Sequence, residues 1–592
     1  MRCLYSDQEA AKWLHSRAQH ANAMTLKGRV PTLQTDSRMV QEGDVFLAYA
    51  GHNFDARTQV AQALAHGVSA CLVDLQGDDP KAISSAVRAL TGMSAKAAEA
   101  LTQDPRLAFM PHLKASRGWV AAHYHGNPSR EIKVLAVTGT NGKTTCTWWL
   151  AQALSKMGRP CAVAGTLGFG RLEKSLARTT EDAGMGNKTA PLTLKPVLSH
   201  AVTTGLTTME AHELQQALRD CEVEGLTHLA LEASSIGLKE GRLAGTHIEV
   251  AVFTNLTQDH LDYHGDMTSY WQAKKTLFTE MNPKAVVINL DDAHGWDLYF
   301  EMVAAAQSAP GHPDKTTRSP IFAYTTAVDN RARVLSVLKD LKMPWGEVEC
   351  LMSRLVTADL IRLTPEGSWD FELACASQRT PFELKVLGRY NVSNVLAVVG
   401  TLLALGIEWS DVLTQCQALD AVNGRMQRMA LEGTPSIVID YAHTPDALKQ
   451  VLLTLKEMTQ SQSAKLWCVM GCGGDRDRSK RALMGHAAQS FADQVVLTSD
   501  NPRHENPQAI MDDIESGMRL GSAVRQVDRK LAIEFALSSA AVEDWILVAG
   551  KGHETYQDVG GVRTAFSDQE VVAHALLQER AKRQVNMGVR RA

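Results

Sequence analysis

The segment Val137-Thr-Gly-Thr-Asn-Gly-Lys-Thr-Thr145 limits the fold of this chain more than any other. A β-branched run, Lys133–Val137, leads into it, and a helical stretch, Thr145–Met157, leads out. Strand, Gly-rich turn and helix in that order make a phosphate loop. Backbone N–H groups and the helix N-terminus face an anion, a lysine reaches the β- and γ-phosphates, and a hydroxyl serves Mg²⁺. Gly139, Gly142, Lys143 and Thr144 fill these roles, with Thr140, Asn141 and Thr145 completing the turn, although Val137 stands where the general pattern has its first glycine. Further runs that read as buried strands, Leu226–Leu231, Glu249–Phe253 and Ala285–Ile288, alternate with helical or loop stretches. That alternation predicts a mostly parallel sheet with helices on both faces.

At 592 residues the chain is too long for one ordinary domain, and a prior of about 150 residues per domain gives three or four. Apolar residues at 45% and charged residues at 21% are near globular averages, which argues against disorder, a fibre or a coiled-coil rod. The net charge of −4 lacks the basic excess of a dedicated nucleic-acid or membrane-surface binder. The ten cysteines contain no C-x-x-C pair, so reduced thiols in a cytoplasmic protein are expected, not a disulfide or zinc framework. The N-terminus lacks a signal-peptide core. The longest apolar stretch, Val395–Ile407, is too short for a bilayer and reads as a core helix. Short apolar runs at Val45–Ala50 and Ala70–Val73 mark a first block. A later αβ block starts near Gly424, with strands at Ile437–Ile439, Leu466–Val469, Gln494–Thr498 and Trp545–Val548. Glu181–Pro191 and Gln307–Pro320 read as loop insertions.

An open α/β sheet binds its ligand at the carboxyl ends of its strands. Glu232 follows the strand end Leu229–Leu231 there; taken alone, it is either a Mg²⁺ ligand or a helix-capping acid. Asp259, His260, Asp262 and His264 cluster just after the next strand, and a histidine in such a place is more often structural than a ligand.

Ten motifs then occur in order: TGTNGKTT, LEASS (231–235), TNLTQDHLDYHGD (254–266), INLDD (288–292), GRYNVSN (388–394), NGRM (423–426), DYAHTPDAL (440–448), GCGGDRDRSKR (471–481), DNPR (500–503) and GKGHE (550–554). Together they resemble the Mur ligase family, ATP-dependent enzymes that add amino acids to peptidoglycan precursors. The resemblance implies an α/β chain of three domains, 1–128, 129–423 and 424–592. The first binds a UDP-sugar, the second is a P-loop mononucleotide-binding parallel-sheet domain, and the third is Rossmann-like and binds the amino acid. Within the family the chain is most similar to the branch that adds meso-diaminopimelate to UDP-N-acetylmuramoyl-L-Ala-D-Glu. ATP and Mg²⁺ are the implied cofactors, and a monomer without nucleic-acid partners is expected.

The resemblance also assigns residues. Lys143, Glu232, His260 and Lys274 are the implied catalytic groups, with Thr144, Glu232 and His260 as metal ligands and Lys274 as a carbamylated lysine. Asn289, Asp291, Arg425, Asp440 and His443 join the loop as ATP contacts, Arg425 arriving by domain closure. Ser37, His52, Asn53, Thr203, Thr204, Ser234, Glu240 and Arg242 are similar to contacts of the UDP-sugar dipeptide. Arg476, Asp500, Asn501, Pro502, Arg503, Gly550 and Glu554 are similar to contacts of diaminopimelate, Arg503 suiting its distal carboxylate and Glu554 its distal ammonium. Departures from the family are Val202 and Leu206 around the Thr pair, Ile236 where many relatives have His, and Asp55-Ala-Arg57 in a turn that usually contains Asp-Gly. A lysine-adding or folylpolyglutamate-type relative is the nearest alternative, and a P-loop switch protein is the alternative from another class.

Overall fold

The computed structural model describes residues 2–22, 31–51, 54–75, 95–175, 195–202, 206–308, 319–364, 367–460, 464–519 and 521–589. Four sheets carry the described chain. The first contains Leu33–Gln34, Val45–Ala48, Ala70–Leu75 and Leu107–Pro111, side by side in chain order and all parallel. Its strands are apolar at successive positions because both faces are covered. Val45, Leu47, Ala70 and Leu72 join one core with helices Asp7–Asn22 and Leu113–Tyr124. Phe46, Ala48, Cys71 and Val73 join the opposite one beside helix Val60–Ala65.

The large sheet has eleven strands. The phosphate-loop strand, Lys133–Thr138, lies between Ile248–Phe253 and His228–Glu232, so its neighbours on both sides are distant in sequence. Such a reversal of strand order opens a crevice at the carboxyl edge. Outward from Ile248–Phe253 run the parallel strands Ala285–Asn289, Ile321–Thr325 and Leu355–Leu363, then the antiparallel pair Trp369–Cys375 and Gln378–Leu384. The opposite edge beyond Cys161–Gly165 is finished by the antiparallel Gly168–Ser175 and Lys195–Val202. Helix Lys143–Lys156 and the expected core helix, observed as Tyr390–Ala404, bury most of their length against this sheet.

The third sheet runs in the order Gln427–Met429, Ser436–Asp440, Trp545–Ala549, Leu466–Met470, Gln494–Leu497 and Ala523–Arg525. All its neighbours are parallel except the first pair, and cores lie on both of its faces. Here too a strand from late in the chain, Trp545–Ala549, is inserted between earlier ones, bringing the loops after 440, 470, 497 and 549 to one edge. Tyr556–Val559 and Val562–Ala565 form a separate hairpin.

The chain divides into two compact units. One comprises Met1–Val134, Thr204–Leu229 and Ile236–Glu249; the other comprises Leu135–Thr203, Ala230–Ser235 and Val250–Ala592. The expected insertion Glu181–Pro191 lies outside the described residues, as does 309–318 of the second; Gln307 and Ser308 end helix Ala293–Ser308. Among the described residues no helix is long and apolar enough to cross a membrane.

Candidate active site

The phosphate loop is held from below by the segment after strand Ile248–Phe253. Thr140 N–H donates to Asn255 O at 2.8 Å. Asn141 N–H reaches Asn255 Oδ1 at 2.9 Å, and Thr254 Oγ1 donates to Asn141 O at 2.6 Å. Gly139 has φ 148°, and a Cβ there would lie 1.9 Å from Thr254 Oγ1, so no side chain fits. Gly142, with φ 87°, opens helix Lys143–Lys156 and abuts the Asn394 amide.

Two lysines converge on this loop. Lys143 Nζ donates to Gly139 O at 2.9 Å and to Thr140 O at 2.8 Å. Lys274, 1% exposed, donates to Gly139 O at 2.8 Å and sits 4.5 Å from the centre of the Tyr270 ring. Among the described residues neither amine has a carboxylate within ion-pair distance. Removal from water lowers the Lys143 pKa, with Glu232 and Asp259 opposing and Arg425 adding to it. Burial, reinforced by the Lys143 cation, pushes Lys274 well below the usual lysine range.

Glu232 ends strand His228–Glu232 at 1% exposure. Thr166 grips its carboxylate, N–H to Oε1 at 2.9 Å and Oγ1 to Oε2 at 3.1 Å. A Cβ on Gly165 would come within 2.2 Å of Oε1, which explains the glycine. Thr144 Oγ1 accepts from Arg425 Nη2 at 3.0 Å. His260, at φ 53°, starts the short helix Leu261–His264 and keeps its Nε2 3.4 Å from Asp259 Oδ2. Desolvation, with the Lys143, His443 and Lys274 charges, outweighs Asp259 and holds its pKa down to about 4, so the imidazole is neutral near pH 7. Among the described residues no three His, Cys, Asp or Glu side chains are grouped to hold a metal by themselves. Mg²⁺ needs no such group: it binds through one or two carboxylates, keeps waters and takes substrate phosphates. The Glu232 carboxylate and Thr144 hydroxyl beside a phosphate loop suit that donor set.

Arg425, which the resemblance expects to arrive by domain closure, lies beside the loop in this structure. Besides meeting Thr144, its guanidinium lies 4.5 Å over the Tyr441 ring. Its turn is pinned by Asp440, which accepts Met426 N–H at 2.7 Å. His443 Nδ1 pairs with Tyr441 O at 2.8 Å, and its Nε2 lies 3.8 Å from Asp259 Oδ2. Lys480 Nζ lies 3.6 Å from Asp259 Oδ1. Although burial opposes it, His443, His260 and Lys480 together hold the Asp259 carboxyl well below its usual range. Asp259 thereby ties the segment after strand Ile248–Phe253 to the C-terminal block. Asn289 and Asp291 are engaged within the fold: Asn289 Nδ2 donates to Thr254 O at 2.6 Å, and Asp291 Oδ2 accepts Thr326 N–H and Oγ1 at 2.8 Å each.

In the C-terminal block, DNPR and GKGHE meet. The chain at 500–503 runs along 557–560: Gln557 Nε2 donates to Asp500 O at 2.8 Å, Asp558 N–H to Asn501 Oδ1 at 3.0 Å, and Arg503 N–H to Asp558 O at 3.0 Å. Asn501 Nδ2 reaches Glu554 Oε2 at 2.7 Å. Gly550, at φ 114°, leaves room for Asp500 Oδ2, which would lie 2.5 Å from a Cβ. Pro502 is buried; its carbonyl abuts Gly474, and Arg503 Nη1 donates to Gly474 O at 2.8 Å. Arg476 is exposed beside this loop.

The first unit holds Ser37 in a turn next to the exposed Asp36–Arg38 ion pair. Arg242 is buried, pairing with Glu240 Oε2 at 2.5 Å and Glu210 Oε1 at 3.2 Å while donating to Thr208 O at 2.9 Å. Ser234, in the second unit, is half-buried after Glu232. His52, Asn53, Thr203 and Thr204 lie outside the described residues.

Several participants went unassigned from the sequence. Thr166 carries no pattern of its own, whereas Tyr441 lies within the quoted DYAHTPDAL. Lys480 and Lys551 lie inside quoted motifs, so position alone could have flagged them. Arg529 and Asp568 lie in no quoted motif, yet they form a fully buried pair at 2.8 Å. Arg529 Nη2 also donates to Ala549 O at 2.9 Å, fixing the strand end from which GKGHE emerges.

Comparison with known proteins agrees with this geometry. Residues 137–308 match the Mur ligase middle domain, and 424–552 match the Mur ligase, glutamate ligase domain. A UDP-N-acetylmuramoyl-L-alanyl-D-glutamate–2,6-diaminopimelate ligase of Acidovorax sp. (strain JS42) is 38% identical over 96% of both chains. A protein of the same name from Janthinobacterium sp. (strain Marseille) is 39% identical, over 92% of this chain and 94% of its own. A solved structure of a ligase bearing that name aligns with a TM-score of 0.55 at 31% identity, covering 95% of this chain and 99% of the other. The fold alone is shared with a MurF ligase from Thermotoga maritima in complex with ADP, TM-score 0.54 at 16% identity, over 93% and 98% of the two chains. With a phosphate loop, two lysines on its carbonyls and near full-length relatives at this identity, the chain belongs to the Mur ligase family.

Proposed function

We propose that this chain joins meso-diaminopimelate to the D-Glu of UDP-N-acetylmuramoyl-L-Ala-D-Glu at the expense of ATP, a step of peptidoglycan precursor synthesis. The observation that carries this reading is the meeting of DNPR and GKGHE in one pocket, in a chain whose near full-length relatives bear that ligase's name. We take 1–128, 129–423 and 424–592 as its domains.

A carboxylate does not react with an amine at neutral pH, because its oxygen is a poor leaving group. The D-Glu side-chain carboxylate attacks the γ-phosphorus of ATP, forming an acyl phosphate and releasing ADP. The amine of diaminopimelate then adds to the acyl carbon, the tetrahedral intermediate expels phosphate, and the nitrogen loses its proton. Lys143, which donates to its own loop's carbonyls, turns to the phosphate oxygens. Arg425 adds a second cation beside Thr144. Thr144 and Glu232, with His260, would hold Mg²⁺, which offsets the charge of the anions it touches when bound.

The depressed pKa of Lys274 favours the neutral amine, the form that adds CO₂ to give a carbamate. A carbamate at this point turns a cation beside Gly139 into an anion able to sit near Mg²⁺. Asn289, Asp291, Asp440 and His443 shape the nucleotide side. Ser37, His52, Asn53, Thr203, Thr204, Ser234, Glu240 and Arg242 take the UDP-sugar dipeptide. Arg503 and Arg476 take the distal carboxylate of diaminopimelate, and Glu554 takes its ammonium, with Asp500, Asn501, Pro502 and Gly550 shaping the pocket. Acyl-phosphate formation needs water kept out, and the Asp259 contacts to His443 and Lys480 keep the C-terminal block at the loop.

The test is phosphate release measured with each substrate alone and with both, together with the mass of the product. Release that needs both UDP-N-acetylmuramoyl-L-Ala-D-Glu and diaminopimelate supports the reading. ATP turnover indifferent to both contradicts it.

A further inference from the structure

Lys551 lies at the centre of the amino-acid pocket and is fully buried. Its Nζ donates to Asn501 Oδ1 and to Glu554 Oε2, each at 3.0 Å. Asn501 Oδ1 also accepts Asp558 N–H, which fixes the orientation of the amide and aims its Nδ2 at Glu554 Oε2. Oε2 thus has two close donors, whereas among the described residues Oε1 meets only the Tyr441 hydroxyl, at 3.5 Å. The carboxylate presents one saturated oxygen and one with acceptor capacity left.

The charge balance follows from the same contacts. Lys551 offsets the charge of Glu554. Arg529 is matched by Asp568, and the Asp500 carboxylate lies against Gly550. The Arg503 guanidinium donates only to a backbone carbonyl, and Arg476 is exposed; among the described residues neither has a carboxylate within ion-pair distance. Of the groups named, Lys551, Arg529, Arg503 and Arg476 are cations and Glu554, Asp568 and Asp500 are carboxylates, four against three, so one positive charge is in excess. Glu554 by itself would attract any ammonium; with Lys551 on its other oxygen, it attracts one weakly.

We propose that Lys551 is a specificity-determining residue: it sets the pocket's charge so that an amino acid ending in a carboxylate beside an ammonium is accepted and one ending in an ammonium alone is repelled. The inference rests on the reading of Arg503 and Glu554 as the contacts of the ligand's distal end. A zwitterionic end leaves the local charge unchanged while pairing Arg503. A lone ammonium adds to the excess and leaves Arg503 unpaired. Discrimination of this kind uses a repulsive element as well as an attractive one.

The test compares kcat/KM for diaminopimelate, 2-aminopimelate (no distal ammonium) and lysine (no distal carboxylate). On the wild-type enzyme, loss of the distal ammonium costs about tenfold and loss of the distal carboxylate more than about a hundredfold. In K551Q, which keeps a hydrogen-bonding end but no charge, the preference for diaminopimelate over lysine falls by about tenfold or more, and K551R restores it. K551M replaces K551Q if the latter does not fold, and the wild-type series needs no variant. A purely structural role predicts a parallel fall for all three amino acids with the preference unchanged. That outcome overturns the proposal, as does a wild-type enzyme that loses as much from the missing ammonium as from the missing carboxylate. A wild-type enzyme that does not use diaminopimelate at all overturns the functional reading, and this one with it.

Discussion

The phosphate loop and the amino-acid pocket both bury cations, but they treat them in opposite ways. At the loop, Lys143 and Lys274 share the carbonyl of Gly139 and, among the described residues, lack a carboxylate in ion-pair range. At the pocket, Lys551 is paired with Glu554, Arg529 with Asp568, and Arg481 with both Glu505 and Asp513. Unpaired buried charge is costly and depresses a lysine's pKa, as it does for both loop lysines. A site in that condition gains most when phosphates, or CO₂ added to Lys274, supply the missing negative charge. Paired charge gains little from one more ion and serves to shape and select. One region is poised to receive anions; in the other the buried cations are paired, and Arg503 and Arg476, without an ion-pair partner among the described residues, are left to choose the ligand.

Five substitutions probe this contrast, in decreasing order of effect. Lys143→Met should lower kcat by about a thousandfold, because a preorganised donor to transferring phosphate is lost; ADP release measures it. Arg529→Met should cost about 3–5 kcal/mol of stability by stranding Asp568, whereas Arg529→Met with Asp568→Leu should come close to the wild type. Urea melts of both check that, and an equally unstable double variant would show that the pair matters beyond its charges. Arg503→Ala should cost roughly 2–5 kcal/mol in kcat/KM for diaminopimelate with the KM for ATP unchanged; equal losses for both substrates would erase the division between the two regions. Lys274→Met should raise the Tm of ligand-free protein in CO₂-depleted buffer at neutral pH. The sign follows from linkage: the folded-state pKa is depressed, so the unfolded chain binds more protons between that pKa and the unfolded value, and stability is diminished throughout the range below it. Removing the amine removes that deficit, and the gain should shrink as pH rises toward the unfolded pKa.

Much of this was legible in the sequence, and the reason differs by residue. The strand, loop and helix around Gly139–Lys143 are local, so hydrophobic pattern and glycines suffice to predict them, and the observed strand Lys133–Thr138 and helix Lys143–Lys156 agree. The strands after Gly424 are also as expected, within a residue or two. What pattern could not reach was pairing across distance. Thr166 meets Glu232 only because two strands lie side by side at the sheet's carboxyl edge. Arg529 and Asp568, far apart in the chain, meet because two helix starts face the end of strand Trp545–Ala549. Arg425 was expected to arrive by closure because its motif lies in a later block; here it meets Thr144 from a turn that Asp440 fixes by accepting Met426 N–H. Motif membership pointed to Glu554 as a contact, but only the shared hydrogen bonds of Asn501 and Lys551 distinguish its two oxygens.

The central claim is that the loop with two unpaired lysines activates a carboxylate by phosphorylation. The most direct test is a single turnover with UDP-N-acetylmuramoyl-L-Ala-D-Glu carrying ¹⁸O in the D-Glu side-chain carboxylate, with ATP and diaminopimelate present. An acyl phosphate passes one of those oxygens to the released phosphate, so the account predicts ¹⁸O-labelled phosphate in step with amide product. Amide product accompanied by unlabelled phosphate would contradict it.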